Sequence, residues 1–128
     1  MATNQKPTVV LIEDDPLIAE MYTAKFTKEG FDLHHAADGQ AGLDLLKTVT
    51  PQVVLLDIIM PKLDGFQVLQ ALRKEPKYAT LPIIMLTNLG QEEDVQKGRQ
   101  YGATDYFIKT NFTPAAIVDK VRAVLATQ

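Results

Sequence analysis

Val53-Val54-Leu55-Leu56-Asp57-Ile58-Ile59-Met60-Pro61-Lys62-Leu63-Asp64-Gly65 is the stretch that decides the fold. Four aliphatic residues in succession describe a strand buried on both faces, as strands in the middle of a parallel sheet are. Asp57 ends that strand. In open α/β sheets, ligands bind in the crevice beyond the carboxyl ends of the strands. From this stretch alone Asp57 therefore has two readings, a turn-capping residue or a reactive carboxylate.

The same pattern recurs on either side. Val9, Val10, Leu11 and Ile12 run into Glu13, Asp14 and Asp15; Ile83, Ile84, Met85 and Leu86 run into Thr87; Tyr106, Phe107 and Ile108 run into Lys109. Residues 31–36 mix Asp32, His34 and His35 with apolar positions, which suits an edge strand. Helical signals fill the gaps. Pro16 fits a first turn, and Ile18, Met21, Tyr22 and Phe26 form a stripe that Gly30 closes. Asp38 caps a second helix with Ala41, Leu45, Leu46 and Val49 on its apolar face. Asp64 and Gly65 open a third with Phe66, Leu69 and Leu72 inward, and Glu75-Pro76 closes it. Residues 92–101 make a fourth helix, charged and weakly periodic, expected to be the least firmly packed. Thr113 and Pro114 start the last, whose apolar face is Ile117, Val118, Val121, Val124 and Leu125.

Five strands alternating with five helices over short connections predict a single-domain, doubly wound α/β sheet. A flavodoxin-like order of 2-1-3-4-5 sets the four polar strand ends side by side and leaves the second strand, ending in Ala36-Ala37, outside them. Composition narrows the function. The 128 residues carry a formal charge of −3 and no cysteine. That argues against a nucleic-acid footprint and excludes disulfides, thiolate zinc sites and a Cys nucleophile. No run reaches the ~18 apolar residues of a membrane span, and the polar N-terminus lacks a signal-peptide core. A cytoplasmic setting is expected, and with no room for an output domain after the last helix the chain reads as either a stand-alone unit or a fragment of a longer protein.

The residue types at the strand ends define a chemistry. Clustered carboxylates repel unless a cation sits among them, and oxygen-only donors suit Mg²⁺ or Mn²⁺. Lys109 can pair with a phosphoryl oxygen and the Thr87 hydroxyl can donate to another. A carboxylate can be the nucleophile that forms an acyl phosphate. Asp57, alone on its strand end, is the candidate, with Glu13 and Asp14 holding the metal. Singly, each residue has a plainer reading: Glu13, Asp14 and Asp15 as a helix N-terminus, Thr87 as a cap, Lys109 as a surface charge, Tyr106 as a packed aromatic. His34 and His35 point to opposite faces of a strand and are read as structural.

From about Thr8 to Leu125 the chain resembles the receiver domains of two-component response regulators, the CheY-like family. The resemblance is carried by Leu11-Ile12-Glu13-Asp14-Asp15-Pro16, by Leu56-Asp57-Ile58-Ile59-Met60-Pro61 with Asp64-Gly65, by Leu86-Thr87, and by Gly102-Ala103-Thr104-Asp105-Tyr106 leading to Lys109. It implies one receiver domain over 1–128. It also implies that Asp57 accepts a phosphoryl group from a phosphohistidine on a sensor histidine kinase or phosphotransfer protein, with Glu13, Asp14, Asp57 and the Ile59 backbone carbonyl serving Mg²⁺. It further implies a switch in which Thr87 moves toward the phosphoryl group and Tyr106 turns inward. The surface of the fourth helix, fifth strand and last helix then changes for a downstream protein.

Three departures qualify the resemblance. Thr110 stands where the family has proline after the lysine, so a trans bond is expected there, with Lys109 less rigidly aimed. Asn88 replaces a smaller residue and can contact the phosphoryl group. Ile59 and Leu89 are apolar at positions that tune hydrolysis in the family, which predicts slow self-dephosphorylation. Rival readings are a pseudo-receiver that binds partners without phosphorylation and an aspartyl-phosphate phosphatase. The phosphatase would carry a second acid where Ile59 stands. Asp105, Lys120 and Arg122 are placed where charge pairs could support a phosphorylation-dependent homodimer, and no direct contact with nucleic acid or membrane is expected.

Overall fold

The computed structural model describes residues 6–127; the start of the polar N-terminus, residues 1–5, lies outside them. Five parallel strands form one sheet in the order β2-β1-β3-β4-β5, as the pattern of strand ends predicts. They are β1 (Thr8–Ile12), β2 (Asp32–Ala36), β3 (Val53–Leu56), β4 (Ile83–Thr87) and β5 (Asp105–Ile108). The helices α1 (Pro16–Lys28), α2 (Gly39–Leu46), α3 (Gly65–Arg73), α4 (Glu92–Gln100) and α5 (Pro114–Ala126) supply the crossovers. Short 3-10 turns at Pro76–Tyr78 and Lys109–Asn111 complete the chain. Among the described residues no helix is long and apolar enough to cross a membrane.

Strand side chains alternate between faces, and both faces are covered. Val10, Ile12, Val54, Leu56, Ile83 and Met85 pack toward Leu46 of α2 and Val68, Leu69 and Leu72 of α3. Val9, Leu11, Val53, Leu55, Ile84 and Leu86 pack toward Tyr22 and Phe26 of α1 and Ile117, Val118 and Val121 of α5. This explains the unbroken aliphatic runs. A strand buried on both sides has no position for a polar residue until it leaves the sheet. Each fully buried aliphatic side chain contributes about 1.5–3 kcal/mol, and truncating one, as in Leu55→Ala, costs about 2–5 kcal/mol.

Helix starts follow the caps. Asp15, Asp38, Asp64 and Thr113 each accept backbone N–H bonds from the first turn of the next helix. At α3 the bond is reciprocal, with Gln67 accepting from the Asp64 N–H. α4 buries only Gly98, in line with its charged sequence. Some expectations are corrected. Met21 is 52% exposed, and Ala19 joins Tyr22 and Phe26 in the buried face. α1 rests on the sheet through its Ala19 side, which turns Met21 toward a groove beside Pro114 and Ala115. α2 stops at Leu46, so Val49 packs on the core from the following turn rather than from the helix. The fourth helix ends at Gln100 with Tyr101 as its C-cap, and β2 begins at Asp32 rather than Phe31.

Candidate functional site

Register assembles the site. Ile12 lies opposite Leu56 and Leu56 opposite Met85, so the next residues of β1 and β3, Glu13 and Asp57, emerge together. Their own backbones remain in the ladder: the Asp57 N–H donates to the Ile12 carbonyl and the Glu13 N–H to that of Ala36, both at 3.0 Å. β4 runs on to Thr87 opposite Ile108, which delivers Thr87 and Lys109 to the same edge. Glu13, Asp14, Asp15, Asp57, Ile59, Thr87, Asn88 and Lys109 all line one cleft of about 190 Å³.

The acidic trio is divided by role. Asp15 is the cap of α1, accepting from the Leu17 and Ile18 N–H groups at 2.9 and 3.2 Å. Glu13 is 1% exposed, while Asp14 is open to solvent. Carboxylate oxygens of Glu13, Asp14 and Asp57 lie within 4.8 Å of one another, so three hard anionic donors converge on one space. That donor set fits a divalent cation with oxygen preference. His35 adds a support that periodicity does not signal. Its Nε2 lies 2.7 Å from the Glu13 carbonyl oxygen, which can only accept, so the ring donates there. His34 pairs with Asp32 at 3.2 Å, and neither histidine joins the cluster.

Asp57 is 6% exposed. One of its oxygens, Oδ1, accepts from the Ile58 N–H at 2.7 Å, and Oδ2 accepts from the Lys109 ammonium at 2.9 Å. Lys109 also donates to Glu13 Oε1. The Lys109–Thr110 peptide is trans, as the missing proline predicts. The lysine is nevertheless aimed, because two buried carboxylates hold its head. Burial pushes the Glu13 carboxyl up, outweighing the bonds from Lys109 and the Asp15 N–H that pull it down. Burial alone would lower the Lys109 ammonium, but its bonds to Glu13 and Asp57 prevail and hold it above its ordinary value.

Gly65, read in the sequence only as a helix opener, is a spatial requirement of the site. A Cβ there would stand 2.2 Å from the Asp57 carbonyl oxygen and 2.7 Å from Ile58 Cα. Its N–H donates to the Ile58 carbonyl at 2.8 Å. The start of α3 is thereby pressed directly against the backbone that carries the central acid.

On the β4 side, the Thr87 hydroxyl oxygen accepts from the Leu89 N–H at 3.3 Å and the Tyr106 hydroxyl donates to the Leu89 carbonyl. Leu89 is thus held on both sides, through its N–H and its carbonyl, by the two residues expected to switch. Tyr106 lies inward, 9% exposed. Burial, with the charges of Asp94 and Asp57 adding to it, pushes its phenol up to about 12. Asn88 is exposed at the cleft and Ile59, 61% exposed, stands beside it. Arg122 departs from expectation. It pairs with Glu29 at 3.2 Å and lies over the Phe31 ring, on the α1 side of α5 and away from α4. Lys120 stacks over Phe107 and Phe112.

Known proteins resemble the chain in sequence and in fold. The DNA-binding dual master transcriptional regulator RpaA of Synechocystis is 38% identical over 119 residues, covering 93% of this chain and 49% of its own length. The DNA-binding response regulator MtrA of Mycolicibacterium smegmatis is 38% identical over 117 residues, 91% of this chain and 50% of its own. The chain spans about half the length of these relatives. Among solved structures, the chemotaxis response regulator CheY4 of Vibrio cholerae superposes with a TM-score of 0.87 at 28% identity, covering 94% of this chain and 99% of its own. The beryllofluoride-activated receiver domain of Klebsiella pneumoniae RstA gives 0.85 at 30%, covering 92% and 97%. Residues 9–122 match the family described as response regulator receiver domain; with five parallel strands ending in one acidic cleft, the chain belongs to that family and is a receiver domain of two-component signalling.

Proposed function

We propose that Asp57 accepts a phosphoryl group from the phosphohistidine of a sensor histidine kinase or phosphotransfer protein. The acyl phosphate then resets the surface of α4, β5 and α5 for a downstream protein. The observation that carries this reading is a buried carboxylate at a strand end, opening on a cleft and touched by an ammonium and flanked by two further acids. In the transfer, an Asp57 oxygen forms the new P–O bond as the P–N bond to the donor imidazole breaks, and the nitrogen keeps the electron pair. Lys109, already beside Oδ2, is placed to donate to an incoming phosphoryl oxygen. Thr87 offers its hydroxyl proton from β4, and Asn88 its amide at the cleft.

Glu13, Asp14, Asp57 and the Ile59 backbone carbonyl would hold Mg²⁺ or Mn²⁺, which when bound neutralises charge on the transferred group. Glu13 and Asp14 thus serve the modification of Asp57 rather than an external substrate. Position 59 offers no second acid, so the phosphatase reading loses its general acid. Ile59 and Leu89 give an attacking water no polar group to orient it, which supports slow self-dephosphorylation. We assign this activity to the cytoplasm and read residues 1–128 as one receiver unit, a reading that the family match over residues 9–122 supports. The net charge of −3 supports a domain that makes no direct contact with nucleic acid. A phosphorylation-dependent homodimer through α4 and α5 would draw on Asp105 and Lys120 without Arg122.

Mass spectrometry after acetyl phosphate and Mg²⁺ tests the reading. One phosphoryl group is expected on the wild type and none on Asp57→Ala. Equal labelling of both would sink it. Mg²⁺-dependent binding of beryllofluoride, an acyl-phosphate mimic, would separate it from a pseudo-receiver.

A further inference from the structure

Gly98 sits within α4, where glycine is less favourable than alanine by about 1 kcal/mol. Its backbone does not require glycine: the positive-φ glycines are Gly30 and Gly102, and Gly102, at φ +99°, already makes the turn after α4. What the missing side chain provides is space. A Cβ at position 98 would stand 2.9 Å from Cδ2 and 3.2 Å from Cε2 of Tyr106, while Met85 Cγ would be at an ordinary 3.7 Å. The ring is the crowded neighbour, and Val95, partly buried, packs α4 on the core and opposes a retreat of the helix.

We infer that Gly98 is a positioning residue that keeps the Tyr106 ring inward. Its functional consequence rests on the switch reading above; its geometry does not. The inward ring is what brings the Tyr106 hydroxyl to the Leu89 carbonyl, and the same residue's N–H reaches the Thr87 oxygen. A side chain at 98 would drive the ring toward solvent, release Leu89 from β5, and loosen the β4–α4 loop before any phosphoryl group arrives.

The test uses the whole chain labelled with 3-fluorotyrosine, the Tyr106 ¹⁹F signal being assigned by Tyr106→Phe. In Gly98→Ala the signal should gain the H₂O/D₂O isotope shift of an exposed phenol, and the phenol should titrate below about 12, toward its ordinary value. A Tyr106 signal as shielded as in the wild type would overturn the inference. A second comparison covers failure of that variant to fold: Gly98→Ala added to Tyr106→Ala should leave stability equal or higher, because the ring is gone. Loss of stability there would equally overturn it. Beryllofluoride with Mg²⁺ separates the two readings. If Gly98→Ala exposes Tyr106 while beryllofluoride leaves the wild-type Tyr106 signal unmoved, the positioning role stands and the switch reading falls.

Discussion

Replacing Lys109 by methionine keeps most of the aliphatic stem and removes the charge. The Lys109 side chain is 10% exposed, and its two partners, Glu13 and Asp57, are 2% and 8% exposed. Without the ammonium, two buried carboxylates face each other with Asp14 close by and no cation among them. Removing one partner of a buried pair costs about 3–5 kcal/mol, and because the cleft is open on one side the lower end, about 3 kcal/mol, applies. At roughly 3–5 °C per kcal/mol for a domain of this size, Tm should fall by about 10–15 °C. The sign with pH follows from Glu13. Burial already holds its carboxyl above the ordinary value, and loss of the Lys109 bond removes the strongest opposing effect. A folded-state value above the unfolded one means that the folded chain holds the extra proton between the two, so stability falls as pH rises through that window. The deficit of Lys109→Met should therefore be larger at about pH 8 than at about pH 5. Saturating Mg²⁺ should restore part of it by supplying the missing positive charge. Thermal unfolding followed by circular dichroism, at both pH values with and without MgCl₂, measures this. A Tm loss identical in all four conditions would refute the electrostatic account and leave Lys109 as packing alone.

Gly65→Ala should destabilise by about 3 kcal/mol in urea unfolding, since the new methyl meets backbone rather than a movable side chain, and should slow labelling by acetyl phosphate. A loss under about 1 kcal/mol would mean that the α3 start can retreat without disturbing Asp57. Ile59→Asn should shorten the lifetime of the acyl phosphate after the phosphodonor is removed, because an amide in the cleft can orient the attacking water; an unchanged decay rate would exclude position 59 from control of hydrolysis.

The strand ends were legible because an aliphatic run terminated by a polar residue is a one-dimensional pattern. Asp57, Thr87 and Lys109 needed only the sheet order to become neighbours. The caps at Asp38, Asp64 and Thr113 were equally local. Periodicity could not tell Met21 from Ala19, since a helix beside another helix buries a face tilted between sheet and neighbour, and the bulkier residue reads as the inward one. The directions of Arg122 and His35 depend on Glu29 and on the Glu13 carbonyl, each far away in sequence. Gly65 and Gly98 illustrate the same limit most sharply. What each glycine makes room for, a carbonyl of β3 or a ring of β5, belongs to another element, and the only local trace is a glycine inside helix four where alanine would be favoured.

Asp57 and Glu13 keep their N–H groups in the sheet's hydrogen-bond ladder, whereas Leu89 is held at its N–H and its carbonyl by two side chains across a loop. In the proposed switch, receipt of the signal and its transmission therefore have separate mechanical foundations. The receiving groups inherit the stiffness of the most buried strands, so their spacing survives large changes at the surface. Leu89, which would transmit the signal, depends on contacts that single substitutions on α4 or β5 can strengthen or remove. A new output partner can thus be acquired by drift on α4 while the chemistry at Asp57 stays as it was.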